Sequence, residues 1–108
     1  MPELPEVETI VRQLRKSLVK RRILKAKIVD RKIIDSRLPA LFPATVKEIQ
    51  RRGKAIIIEL QPKHYLYVHL RMTGHFHHLR TSKLEKYTAA IFYLDDGSLL
   101  TYNEIRRF

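Results

Sequence analysis

Residues 54–72 read KAIIIELQPKHYLYVHLRM. KAIIIEL is a short β-branched apolar run, and QPKH supplies turn chemistry after it. In YLYVHLRM, Leu66, Val68 and Leu70 point one way while Tyr67, His69 and Arg71 point the other. Period-two alternation over eight residues is the mark of a strand with one buried face. Two strands about a turn therefore sit in mid-chain, and the fold must supply them with further strands.

Working outward, the same signals recur. VKEIQ (46–50) reads as a strand, and Gly53 marks a turn or bulge before Lys54. ILKAKIVDRKIID (23–35) is a long β-branched stretch with interleaved charges, read as a strand or two. In SRLPALFPATV (36–46), Pro39 and Pro43 limit any helix to a short piece. On the other side, TGHFHHL (73–79) is a strand after a Gly turn and TSKLEK (81–86) a polar loop. TAAIFYL and LLTYNEI flank DDGS, the signature of a hairpin. Only the beginning of the chain departs from this period. Leu4, Val7, Ile10, Val11, Leu14 and Leu18 recur at spacings of three and four, forming an apolar stripe on a helix. Pro5 suits its first turn. Glu3, Glu6 and Glu8 lie at the positive end of its dipole, and Arg15, Lys16 and Lys20 near the negative end. The expectation is an α+β, mostly β domain over residues 1–108. It is an antiparallel β-sandwich or barrel of about seven or eight strands, flanked by the N-terminal helix and a short second helix.

Charge narrows the partners. Lys and Arg number 22 against 11 Asp and Glu, a formal net charge of +11. A field of that sign attracts polyanions, and nucleic acid is the foremost candidate. An anionic membrane would call for a polybasic tail or a basic amphipathic helix, whereas here the basic residues are spread through the domain. No apolar run approaches membrane-spanning length, and the acidic first residues do not resemble a secretion signal. The chain has no Cys, which rules out a disulfide framework and a thiolate metal site and fits an intracellular setting.

The head of the chain, MPELPEV, carries a chemical possibility. The small Pro2 permits removal of Met1, which would expose a secondary amine. Such an amine reaches its neutral form more readily than a Lys, and can attack an aldehyde-like carbon. Glu3 beside it, and Glu6 one helical turn on, are carboxyl groups suited to moving protons. On these residues alone, a Pro-Glu helix start chosen for capping is the simpler alternative. The histidines of HFHHL raise a metal question. Alternation puts His75 and His77 on one face and His78 on the other, with no acidic residue nearby in sequence, so no metal site is expected. Phosphate contact by one of these, or by His69, fits better.

MPELPEVETIV (1–11) is similar to the opening signature of the formamidopyrimidine-DNA glycosylase family, bacterial base-excision enzymes that remove oxidised purines. RRGKAIIIEL (51–60), HLRMTG (69–74) and RRF (106–108) resemble that family's later motifs, in order and at suitable distances. The resemblance covers essentially the whole chain. Leu4 stands where the related endonuclease VIII branch usually has Gly, which favours the oxidised-purine branch. By resemblance, Pro2 is the nucleophile that attacks C1′ of the damaged nucleotide. Glu3 is the proton-transfer residue of sugar ring opening, Glu6 a second acid in the pocket, and Lys54 the lysine on a phosphate beside the lesion. Met72, Arg106 and Phe108 match the three residues that fill the gap left by the extruded nucleotide. The family chemistry makes these roles sensible, because C1′ cannot be reached inside a stacked duplex and Met and Phe can wedge into an opened stack. The resemblance implies a glycosylase and abasic-site lyase working through a Schiff base, with damaged double-stranded DNA as partner. It is expected to act as a monomer in the bacterial cytoplasm on nucleoid DNA, without a cofactor in this chain. Glu104-Ile105 stands where the family usually has Asp-Pro or a similar pair, and KYTAA (86–90) where many members have a His-rich segment, so local DNA contacts are expected to differ. The family's helix-two-turn-helix domain and its zinc finger are expected to lie outside these residues. The alternatives are a non-catalytic nucleic-acid-binding module or inactive fragment of the same fold, and a small basic β-protein bound to RNA or ribosomes.

Overall fold

The computed structural model describes residues 4–69, 74–80 and 87–104. Helix α1 spans Leu4–Leu18. Its predicted stripe is the buried face: Val7, Val11, Leu14 and Leu18 are all buried. The chain leaves the helix through Lys20, whose φ of 72° is left-handed. That conformation costs a non-glycine residue about 1 kcal/mol. It is offset by a backbone bond from the Lys20 amide to the Val46 carbonyl at 2.8 Å, which turns the chain directly into the sheet.

Seven strands follow: β1 (Arg22–Ile28), β2 (Ala44–Arg52), β3 (Ala55–Gln61), β4 (His64–His69), β5 (His75–Leu79), β6 (Thr88–Leu94) and β7 (Leu99–Asn103). They form one sheet in the order β4-β3-β2-β1-β6-β7-β5, and each described pair is antiparallel. A short 3-10 helix, Leu38–Leu41, is the second helical piece, with Pro in its first turn. The mostly β, antiparallel expectation is therefore met. The stretch 23–35 is one strand rather than two, since β1 ends at Ile28. Asp30 ends the extended run: its carbonyl accepts from the amides of Ile33 and Ile34, and its carboxylate accepts from the Lys32 amide at 3.0 Å. A short polar side chain that bonds the backbone just beyond it competes with a ladder.

The sheet departs from a flat ladder in two ways. First, it forks. β1 meets β2 only through Arg22↔Thr45 and Ile23↔Ala44, but follows β6 as far as Ile28↔Ala90. β2 meanwhile continues with β3 to Arg52↔Ala55. Second, it rolls. Leu66 and Val68 of edge strand β4 and Phe76 of edge strand β5 line one cavity of about 730 Å³, together with Phe92 and Tyr102. Strands at opposite ends of the order share one space only if the sheet curls on itself, as in an open barrel. The core within the roll includes Val46, Ile49, Ile56, Ile58 and Leu60 from one side and Ala90, Phe92, Leu94 and Leu100 from the other. Phe42, just after the 3-10 helix, meets Phe92 edge-on at 5.9 Å.

Candidate active site

Antiparallel order brings particular strand termini together. Because β1 is antiparallel to β2, the end of β1 runs the other way, to the starts of β5 and β6 and the end of β7 (Ile28↔Ala90, Thr88↔Asn103, His75↔Asn103). The ends of β2 and β4 and the start of β3, by contrast, gather at one end of the sheet, as Arg52↔Ala55 and Ala55↔His69 show. Lys54 sits at this end in the turn between β2 and β3 and is exposed. Gly53 gives that turn its shape through a φ of 61°, a conformation in which other residues are strained. His69 closes β4 opposite Ala55, one residue from Lys54, and is exposed.

The first turn of α1 is held against the same end. Arg51 donates from Nε to Glu8 Oε1 at 2.9 Å and from Nη1 to the Gly53 carbonyl at 2.8 Å. One guanidinium thus joins the helix to the turn that carries Lys54. Further along the helix, Arg15 donates from Nε to the Ile49 carbonyl at 2.7 Å. Glu6 is exposed in the first turn of the helix. Of the residues picked out in the sequence, Glu6, Lys54 and His69 are therefore brought to one end of the sheet. Pro2, Glu3, Met72, Arg106 and Phe108 lie outside the described residues. Of the described residues that flank them, Leu4 opens α1 and His69 closes β4 at this end, while Gly74 precedes β5 and Glu104 follows β7.

A buried polar relay joins β5, β6 and β7. Thr88 donates to Asn103 Oδ1 at 2.8 Å, Asn103 Nδ2 donates to Thr101 Oγ1 at 3.1 Å, and Thr101 donates toward the His77 carbonyl at 3.4 Å. All three side chains are buried, so their hydrogen bonds fix β5, β6 and β7 in one register. Glu104, directly after β7, is also completely buried, and its amide donates to the Tyr87 carbonyl at 3.0 Å.

A second polar cluster lies at the turn between β6 and β7, at the other end of their ladder from Thr88 and Asn103. Ser98 Oγ donates to Asp96 Oδ1 at 2.5 Å and lies 2.8 Å from His78 Nε2, while Arg21 reaches Asp96 at 3.6 Å and Asp95 at 3.5 Å. The Ser98 hydroxyl and amide hold the Asp96 carboxyl below its ordinary range, with Arg21 and His78 adding to the effect. The serine lies between the acid and the imidazole, donating its proton to the acid. A nucleophilic serine needs the imidazole as proton acceptor, so this is a turn lock rather than a catalytic relay. The described residues contain no cluster of three or more His, Cys, Asp or Glu suited to a metal. No helix among them is long and apolar enough to cross a membrane.

The sequence profile of the formamidopyrimidine-DNA glycosylase N-terminal domain matches residues 1–108. The chain belongs to the formamidopyrimidine-DNA glycosylase family. Within the family, the formamidopyrimidine-DNA glycosylase of Heliobacterium modesticaldum is 40% identical over 117 aligned residues, which take in 100% of this chain and 42% of that protein. The Lactococcus lactis Fpg, solved in complex with an abasic site containing DNA, superposes with a TM-score of 0.92 at 30% identity, over 99% of this chain and 41% of that one. MutM, solved in complex with carbocyclic 8-oxo-G containing DNA, superposes with a TM-score of 0.92 at 30% identity, over 99% of this chain and 42% of that one. The chain thus spans about two fifths of the length of these glycosylase relatives. The sequence reading missed the link between Glu8 and Arg51. Glu8 was legible only as a dipole partner, and no local pattern connects residues 43 positions apart.

Proposed function

We propose that these residues form the N-terminal catalytic domain of a base-excision-repair DNA glycosylase and abasic-site lyase acting on oxidised purines, formamidopyrimidine and 8-oxoguanine among them. The carrying observation is the convergence at one end of the sheet. The first turn of α1, the Lys54 turn and the end of β4 meet there, tied through Arg51 to Glu8 and Gly53.

In this reading Met1 is removed and the Pro2 nitrogen attacks C1′ of the flipped-out nucleotide. A nitrogen–carbon bond forms as the glycosidic bond breaks and the damaged base leaves. Glu3 delivers a proton to the ring oxygen, which opens the sugar to an iminium. Glu6 adds a second carboxylate to the pocket. The iminium acidifies the hydrogens at C2′; loss of one expels the 3′ phosphate, and a second elimination releases the sugar. Lys54 holds a phosphate beside the lesion, with His69 as a further phosphate contact. Met72 and Phe108 fill the vacated stack, and Arg106 pairs with the orphaned base. No step needs a cofactor within this domain. The enzyme acts as a monomer on DNA in the bacterial cytoplasm, and domains beyond this one share the DNA grip.

Borohydride reduces an iminium to a stable amine. A duplex carrying 8-oxoguanine or an abasic site is expected to give a covalent adduct with protein whose intact mass lacks Met1. Pro2→Gly should give none. Met1-free protein that binds the duplex without forming an adduct would leave the non-catalytic binding module as the correct reading.

A further inference from the structure

We propose that Glu8 and Arg51 form a positioning bracket, which sets the head of α1 at a fixed distance from the Lys54 turn and so aligns the nucleophile with the DNA backbone. This rests on the Pro2 reading above, and neither residue touches the reacting atoms.

The apolar stripe of α1 determines which face of the helix is buried, but an apolar contact is non-directional and tolerates sliding along the helix axis. Directional bonds must fix that axial position, and besides the Lys20–Val46 backbone bond just after the helix, two arginines supply them among the described residues. Arg15 anchors its later turns, donating to the Ile49 carbonyl at 2.7 Å and lying 3.4 Å from Glu48 Oε1. Arg51 anchors its beginning at Glu8. Glu8 lies four residues after Leu4, about 6 Å along the axis, so a tie at Glu8 governs where the chain head begins. The other arm of Arg51 reaches the Gly53 carbonyl, next to Lys54. A planar guanidinium uses two separate nitrogens for two acceptors in a fixed fork, and so registers both elements against each other. An ammonium is a point charge and holds one of them.

The Glu8 and Arg51 side chains are 42% and 31% exposed, and ion pairs so exposed to water add little to stability. Their contribution should appear in alignment. A misplacement of about 1 Å can cost about 100-fold in a reaction of positioned groups.

The test uses the full-length protein and a duplex with a preformed abasic site, trapped at saturating DNA. Arg51→Met is expected to slow trapping about 10- to 100-fold, with melting temperature and DNA affinity near wild type. Arg51→Lys should recover part of the rate. Glu8→Gln separates alignment from charge. Removal of a negative charge alone should tighten DNA binding and leave trapping unslowed, whereas loss of the bracket slows trapping. Wild-type trapping rates in both Arg51→Met and Glu8→Gln would overturn the proposal. So would a loss that merely tracks melting temperature. A measurement independent of activity accompanies these: backbone order parameters of Gly53 and Lys54 should fall in Arg51→Met while those of β6 and β7 hold, and unchanged values at Gly53 and Lys54 would overturn the bracket. If wild type itself fails to trap, the Pro2 reading fails, and the order parameters still decide whether Arg51 fixes the turn.

Discussion

Replacing Asn103 by Leu tests whether the relay through β5, β6 and β7 is structurally essential. Asn103 is 1% exposed, and its amide serves as acceptor for Thr88 and donor to Thr101, which are 2% and 0% exposed. Leu has nearly the same size, so the change opens little cavity and isolates the polar effect. It strands the Thr88 hydroxyl without its acceptor and deprives Thr101 of a donor. Each buried polar group left unmet costs about 1–3 kcal/mol. Thr101 still donates toward His77, which limits its share. The expected loss is about 2–4 kcal/mol, a large part of the roughly 5–15 kcal/mol that holds a domain folded. The informative comparison is the double variant, Asn103→Leu with Thr88→Val. It removes both partners of one bond, and exchanging a hydrogen-bonded pair for apolar groups is far cheaper than removing one member. The double variant should therefore be more stable than the sum of the singles by about 1 kcal/mol or more. Urea denaturation with unchanged m-values measures all three. An Asn103→Leu variant within about 0.5 kcal/mol of wild type, the range of an inconsequential surface change, would refute the reasoning. Strict additivity in the double variant would refute it equally.

Two further outcomes are expected. Lys54→Ala should weaken DNA binding evenly across sequences and lower the slope of log affinity against log salt by about 0.9, the value of one phosphate contact; an unchanged slope would place Lys54 off the backbone. The Asp35 carboxyl is held at about 2 by hydrogen bonds from the Arg37 side chain and amide. Its folded value is depressed, so its stabilising contribution is present above the ordinary value of 3.8 and is lost as pH falls toward about 2. Asp35→Asn should flatten the fall of the urea midpoint between those pH values, by a small amount because the pair lies in water.

The legible parts of the fold were those in which one local rule decides. The stripe Val7, Val11, Leu14 and Leu18 met both a helical period and a favourable dipole, and all four residues are buried. DDGS between two apolar runs produced the hairpin of β6 and β7. Alternation in HFHHL correctly separated the histidines: the rings of His75 and His77 lie 4.7 Å apart, while His78 turns to Ser98. Neighbours in the sheet were not legible. Alternation reports which face a side chain takes and not which strand lies beside it, so the insertion of β1 between β2 and β6 had no local signal. The end of β1 was missed for a related reason. Ile33 and Ile34 carry strand propensity, but Asp30 captures their amides and tertiary context overrides preference. In the candidate site, Lys54 and His69 could be picked out by motif, but their adjacency follows from the pairing of Ala55 with His69. Arg51 and Glu8 carried no motif that joined them.

The forked sheet also bears on the order in which the molecule is made. β2, β3 and β4 pair with chain neighbours, as do β6 and β7, so both groups can assemble by local closure. β1 is different. It has only two rungs with β2, and its long ladder is with β6, where Ile28 finds Ala90 roughly sixty residues away. Bringing such distant partners together costs entropy before any contact repays it, and slows the step. A ribosome releases α1 and β1 first, yet β1 has no lasting partner until β6 has emerged. β1 is thus among the first parts to be synthesised and the last to be secured, whereas the β2-β3-β4 group that carries Lys54 and His69 can close before it.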